Sequence, residues 1–206
     1  MGQVASPRHA SNYIVAPGWA YDNGPVQHLY FHSKEESHKR WLPDLTGVEV
    51  IVAHNAAFEL DWIMAEYWET FVQWYANGGR IFCTQYAEYL LSNQTNLYPT
   101  LDETAPKYGG THKIDEVKIL WEQGKRTSEI DPALLIEYLA GPGGDIENTR
   151  KVYYGQATEL IARGMWSMMW ARCDGLVYNA FAMSAGLHVD AQLAYELKGK
   201  LEVELA

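Results

Sequence analysis

Two short apolar segments, each followed at once by a helical pattern, constrain the fold of this chain most strongly. Val48 to Ala53 is an apolar run interrupted only by Glu49, and Ala56 to Ala76 carries apolar residues at helical spacing. The shorter segment Arg80 to Thr84 precedes a second helical pattern, Gln85 to Ser92. Strands that alternate with helices are typical of α/β domains. The sequence therefore predicts an α/β fold.

A β-hairpin is predicted before this unit. Tyr13 to Tyr21 and Pro25 to His32 are rich in β-branched and aromatic residues, and they flank the turn signal Asp22-Asn23-Gly24. A short helix is then predicted from Lys34 to Leu42, ended by Pro43.

The C-terminal half is predicted to be mainly helical. Helical patterns occur at Leu101 to Tyr108, at Asp131 to Ala140, from Asp145 towards Trp170, and beyond Ala191. Asp131 and Pro132 are a typical helix start, because aspartate caps the first turn and proline suits the first helical position.

Charge and composition exclude several classes of protein. The 206 residues are 48% apolar, enough for a packed core, and the two cysteines, Cys83 and Cys173, are too far apart in sequence to indicate a zinc–thiolate motif. A net charge of −10 argues against a broad basic surface that coats nucleic acid, so any such contact is expected to be local or bridged by metal. No apolar stretch is long enough to span a bilayer. We expect a cytoplasmic protein without a membrane partner.

The most informative motif directly follows the first buried strand. In α/β folds ligands collect at the carboxyl ends of strands, and here the sequence is His54-Asn55-Ala56-Ala57-Phe58-Glu59. This resembles the second motif of the DEDD 3′-to-5′ exonucleases, His-Asn-x-x-Phe-Asp. The resemblance implies that Glu59 is a metal ligand, with Asp61 as a less favoured substitute, and that Asn55 fixes the turn or touches the terminal nucleotide. The alternative for Glu59 is a surface acid favoured by the helix dipole.

A longer resemblance follows. The segments Cys83 to Leu91, Leu101 to Gly110 and Lys113 to Trp121 resemble the exonuclease domain of bacteriophage-type family A DNA polymerases. Many relatives carry Asp where Cys83 stands. No base is obvious near Cys83 in the sequence, so we expect a buried structural residue rather than a nucleophile.

The third motif of this family is Tyr-x-x-x-Asp, in which Asp binds metal and Tyr orients the attacking water. The resemblance assigns these roles to Asp145 and Tyr138, but Tyr138 lies seven positions upstream instead of four, with Gly141 to Gly144 between them. The alternatives are an N-cap role for Asp145 and a half-buried core position for Tyr138.

The first motif, Asp-x-Glu on the leading strand, has no counterpart before Glu59 in this sequence. The only match, Asp145-Ile146-Glu147, belongs to the third motif. In relatives the stretch resembling Ser6-Pro7-Arg8 lies shortly after the first motif, so we expect the chain to begin just downstream of it. We then expect two parts of the family's structure to be missing. One is the central strand of its ribonuclease-H-like mixed sheet, and the other is a pair of the four carboxylates that hold two Mg²⁺ or Mn²⁺ ions.

The resemblance also divides the chain. Arg172 to Gly175 and Gly186 to Asp190 resemble the junction with a polymerase thumb. Residues 1–170 are therefore expected to be exonuclease-like, and 171–206 a helical extension that begins the linker or thumb. The Met165 to Trp170 stripe is expected in a core or interface.

The resemblance implies a metal-dependent 3′-to-5′ exonuclease domain that hydrolyses the terminal phosphodiester of single-stranded DNA for proofreading. Its partners would be the DNA 3′ end and a polymerase domain in the same or another chain. Because of the missing carboxylate pair, we expect this chain alone to be weakly active or inactive. The alternative is a non-catalytic fragment or interaction module of a split or truncated polymerase.

Overall fold

The computed structural model describes residues 6–38, 43–112, 115–186 and 189–205 and has an α/β fold dominated by helices. The strands are β1 (Gly18–Trp19), β2 (Gln27–His28), β3 (Val50–Ala53) and β4 (Arg80–Cys83). The α-helices are α1 (Lys34–Ser37), α2 (Ala56–Glu66), α3 (Trp68–Ala76), α4 (Thr84–Leu91), α5 (Leu101–Thr104), α6 (Asp115–Glu122), α7 (Pro132–Ala140), α8 (Asp145–Ala162), α9 (Trp166–Ala185) and α10 (Ala191–Glu204). Short 3₁₀ helices lie after α5, at Ala105–Tyr108, and after α6, at Thr127–Glu129.

The two predicted strand–helix units form a parallel pair of strands. β3 and β4 pair in register from Val50 opposite Arg80 to Ala53 opposite Cys83. Parallel strands need a crossover connection, and α2 with α3 supplies it. The carboxyl ends of both strands therefore lie at the same edge, where α2 and α4 begin.

The single long helix predicted from Ala56 to Ala76 is divided in two at Tyr67, whose backbone has φ −136° and ψ 34°. The buried residues of both parts join the same core. α2 buries Leu60 and Met64, whereas α3 buries Phe71 and Trp74. The Trp74 indole N–H also donates to the Val48 carbonyl at 2.7 Å, which ties α3 to the start of β3.

The predicted hairpin is confirmed, although its strands are short. β1 and β2 pair antiparallel, and the Phe31 N–H extends the ladder by donating to the Val15 carbonyl at 2.8 Å. In the described ranges this antiparallel pair and the parallel pair are separate ladders. The helix predicted after the hairpin is α1, and residues 39–42 of that prediction lie outside the described residues.

The main core lies between the parallel strands and helices α2, α3, α4 and α9. Phe82 of β4 is fully buried and contacts Trp166 and Trp170 of α9, with ring centroids 5.9 and 5.7 Å away. Met169 is also fully buried, whereas Met168 is 42% exposed. The core role predicted for the Met165 to Trp170 stripe is thus confirmed for its inward-facing residues.

The C-terminal half is helical, as predicted, but the helix expected from Asp145 towards Trp170 is two helices. α8 ends at Ala162, and Gly164 follows in the left-handed region at φ +66°. α9 then continues without a break through residues 170 and 171, where the domain boundary was predicted. α10 buries none of its side chains. No helix in the part of the chain that the structure describes is long and apolar enough to cross a membrane.

Candidate active site

The turn after β3 positions the second-motif residues. Asn55 has φ 60° and ψ 51°, a left-handed conformation that asparagine tolerates better than most residues. Its side chain is exposed and makes no capping hydrogen bond to α2. The turn-fixing role predicted for Asn55 agrees with this backbone, and contact with a nucleotide stays a prediction.

Glu59 lies in the first turn of α2 and faces partly inward. Its Oε2 atom is buried. The Cys83 thiol, at the end of β4, is fully buried, and its sulfur accepts a hydrogen bond from the Ala56 N–H at 3.4 Å. Burial raises the pKa of Cys83, and the negative charge of Glu59 adds to this effect. Glu59 and Cys83 are therefore neighbours, and Cys83 is a buried structural residue as predicted.

Asp61, the less favoured substitute for Glu59, forms an ion pair with Arg8. Its Oδ1 atom lies 2.7 Å from Nη1 of Arg8, an ion pair that ties α2 to the segment preceding the hairpin. Both side chains are partly exposed, so this pair contributes modestly to stability.

His54 braces the turn against two other segments. Its Nε2 atom lies 3.0 Å from the Pro99 carbonyl oxygen, and its Nδ1 atom lies 2.9 Å from the Thr84 hydroxyl at the start of α4. Because a carbonyl can only accept, Nε2 carries the hydrogen in this arrangement. The Gln85 amide donates to the same carbonyl at 3.1 Å. No separate role was predicted for His54, and its bond to Pro99 could not be inferred from local spacing.

Asp145 is the first residue of α8, and the N-cap is Gly144, so an N-cap role for Asp145 is wrong. The reason is the path of the loop that precedes the helix. A Cβ atom at Gly144 would lie 2.8 Å from the Leu139 carbonyl oxygen, so this cap position requires glycine. Asp145 is thereby placed one position later, with its Oδ1 atom buried.

Tyr138 lies near the end of α7, on the far side of the glycine loop from Asp145. It is half-buried, packs against a second small core that includes Val15 and Leu135, and contacts Trp121 edge-to-face with centroids 5.6 Å apart. The core position weighed for Tyr138 is thus confirmed. Its water-orienting role stays a prediction.

Glu59 and Asp145 carry the hard oxygen donors that Mg²⁺ and Mn²⁺ favour. Within residues 6–38, 43–112, 115–186 and 189–205, however, no three His, Cys, Asp or Glu side chains are grouped so that they could hold a metal ion. The residues described therefore do not fit a complete two-ion centre. Two carboxylates alone leave most coordination positions to water or to other groups.

A second polar cluster, which the sequence did not reveal, joins α4 to α8. The buried Glu88 carboxylate lies 2.5 Å from the Lys107 ammonium, and it accepts hydrogen bonds from the Tyr108 hydroxyl at 3.1 Å and the Gln156 amide at 3.1 Å. The Tyr108 hydroxyl also lies 3.2 Å from Glu159. Burial, reinforced by both carboxylates, raises the pKa of Tyr108. The cluster satisfies the buried Glu88 and holds α8 against α4.

No protein-family model, curated protein or solved structure matches this chain.

Proposed function

We propose that this chain is a ribonuclease-H-like exonuclease domain that binds the 3′ end of single-stranded DNA. Glu59 and Asp145 are its contributions to a Mg²⁺ or Mn²⁺ site, and Asn55 is its contact to the terminal nucleotide. In this proposal the domain acts with a polymerase domain in the same or another chain.

One observation carries the proposal. Glu59 and Asp145 come from separate elements, α2 and α8, and each has a carboxylate oxygen withdrawn from solvent. α2 begins directly after β3, and α8 packs against β3, so both helices adjoin the same strand. Withdrawing carboxylate oxygens from water costs free energy, and binding sites often retain such groups.

Incomplete metal ligation limits the expected activity. The described residues do not supply a full set of ligands, so slow hydrolysis is the most that this chain alone should achieve. The chain's own contribution is to bind and orient the DNA end.

Digestion of a 5′-labelled single-stranded oligonucleotide with Mg²⁺ or Mn²⁺ tests the proposal. The double variant Glu59→Gln, Asp145→Asn is compared with Glu69→Gln, which removes an exposed carboxylate on α3. We expect slow stepwise shortening that the double variant loses and the control keeps. Shortening that persists in the double variant would contradict the assignment of the site.

The second candidate is a non-catalytic interaction module. It is favoured by β3, whose Val50, Ile51 and Val52 are only half-buried and which pairs within the described ranges with β4 alone. A partner chain could complete this sheet. Absence of any shortening by a folded chain would favour this candidate.

A further inference from the structure

We infer that Tyr98 is the platform on which the 3′-terminal base of single-stranded DNA stacks. Tyr98 lies on the loop of residues 92–100, which connects α4 to α5. This inference rests on the proposed function, because it names the side chain that holds the DNA end beside Glu59.

The side chains at the tip of this loop are turned to solvent. Tyr98 is 80% exposed and Leu97 is 63% exposed, so neither stabilises the core. An exposed aromatic ring is a general binding surface for nucleobases, because every base has a π face.

The loop is nevertheless fixed in place at both ends. On one side of Tyr98, the Pro99 carbonyl accepts from His54 and Gln85 at 3.0 and 3.1 Å. At the start of the loop the Thr95 hydroxyl donates to the Ser92 carbonyl at 2.6 Å. At its end Thr100 and Glu103 form a reciprocal capping box. A ring held by a braced loop loses little conformational entropy when a base stacks on it.

The hydrogen bonds to Pro99 also place Tyr98 beside the candidate site. His54 directly follows β3, so its bond to Pro99 brings the loop to the carboxyl edge of the parallel pair. The electrostatics agree that Tyr98 and Cys83 both lie near Tyr86. Burial raises the pKa of Tyr86, and Cys83 and Tyr98 both add to that effect. Cys83 is in turn the neighbour of Glu59.

Arg172 is an exposed cation on α9, next in sequence to Cys173, which is buried in the same core as Cys83. Its positive charge opposes the rise in the pKa of Tyr86 in the first turn of α4. With a net charge of −10, the chain has no excess of cations for broad phosphate binding. Stacking on Tyr98 and one local guanidinium contact suit such a protein better.

Fluorescence anisotropy of labelled oligothymidylate in EDTA, which prevents hydrolysis, tests the inference. We expect Tyr98→Ala to raise Kd roughly 5- to 150-fold and Tyr98→Phe to keep the affinity, because stacking needs the ring and not the hydroxyl. Tyr195→Ala is the matched control, since Tyr195 is 74% exposed but lies on α10. It should leave Kd unchanged.

An oligonucleotide with an abasic 3′ terminus tests whether the base that stacks on Tyr98 is the 3′-terminal one. We expect it to bind the wild-type chain as weakly as normal DNA binds Tyr98→Ala, with no further loss when the two changes are combined.

Equal affinity of wild type and Tyr98→Ala would overturn the inference while leaving the proposed function standing. A loss with Tyr98→Ala but none with the abasic 3′ end would also overturn it. No binding by the folded wild-type chain would overturn both proposals, whereas binding without hydrolysis leaves the stacking inference intact.

Discussion

The Nε2 atom of His54 lies 3.0 Å from the carbonyl oxygen of Pro99, 45 residues further along the chain. This bond joins the turn after β3 to the loop that carries Tyr98. A second donor, the Gln85 amide, reaches the same oxygen at 3.1 Å. The candidate carboxylate Glu59 and the exposed ring of Tyr98 therefore belong to segments that are held together by side-chain bonds to one carbonyl group.

Replacing His54 with alanine should loosen this loop. The variant loses the bond to Pro99 and the contact with Thr84, which we expect to cost about 1–2 kcal/mol in the free energy of unfolding. Hydrogen exchange measured by mass spectrometry should show faster exchange in residues 92–98 than in wild type. His28→Ala, at an exposed position of β2, serves as the control. Unchanged exchange in both variants would show that His54 does not brace the loop.

Asn148 should be one of the most sensitive polar positions. It is fully buried, its amide donates to the Thr111 and Gly143 carbonyls at 2.9 Å each, and its oxygen accepts from the Thr111 N–H at 3.0 Å. Asn148→Ala leaves these backbone groups without their partner and should destabilise the fold by about 3 kcal/mol. Urea unfolding measures this cost. Asn96→Ala, at an exposed loop position, should change stability by less than about 0.5 kcal/mol. Similar small losses in both variants would contradict this account.

Two helical glycines should respond in opposite directions to alanine. A Cβ atom at Gly155 of α8 would lie 2.2 Å from the Tyr108 ring, whereas one at Gly175 of α9 would meet nothing within 4 Å. Gly155→Ala should therefore lower stability by about 1–3 kcal/mol through overpacking. Gly175→Ala should raise it by about 0.5–1 kcal/mol, because alanine favours the helix. Thermal unfolding of both variants tests the packing of Tyr108, and a stabilising Gly155→Ala would show that the ring moves freely aside.

Cys173 should make the fold sensitive to alkaline pH. Burial raises the pKa of its thiol from 9.0 to about 12. The unfolded chain loses this proton first, so the stabilising contribution is fully present below pH 9 and is lost as pH rises through about 12. Within that window the loss approaches about 1.4 kcal/mol per pH unit. Urea unfolding at several alkaline pH values should give a shallower decline for Cys173→Ala than for wild type. Equal slopes would show that Cys173 does not couple to folding.

The strands and the hairpin were predictable because their signals are local. Val50–Ala53 is an apolar run, and Arg80–Cys83 is a short segment that follows two glycines and precedes a helical pattern. Both lie within the predicted segments Val48 to Ala53 and Arg80 to Thr84. The break at Tyr67 was not predictable, because apolar residues continue at helical spacing across it and no glycine or proline marks the position. The cap at Gly144 depends on how closely the loop approaches Leu139. The bond between His54 and Pro99 exists only once β3 and α4 are assembled.

Photocrosslinking tests most directly the claim that a DNA 3′ end binds at the carboxyl edge of β3 and β4. Two single-stranded oligonucleotides carry 5-iodouracil, one at the 3′ terminus and one at the 5′ terminus, and each is irradiated with the wild-type chain in EDTA. We predict that the 3′-terminal probe attaches to the peptide containing Tyr98 and that the 5′-terminal probe does not. Attachment of the 3′ probe only to other segments, such as α10, or equal attachment of both probes at Tyr98, would contradict the proposed binding of the 3′ end at this edge.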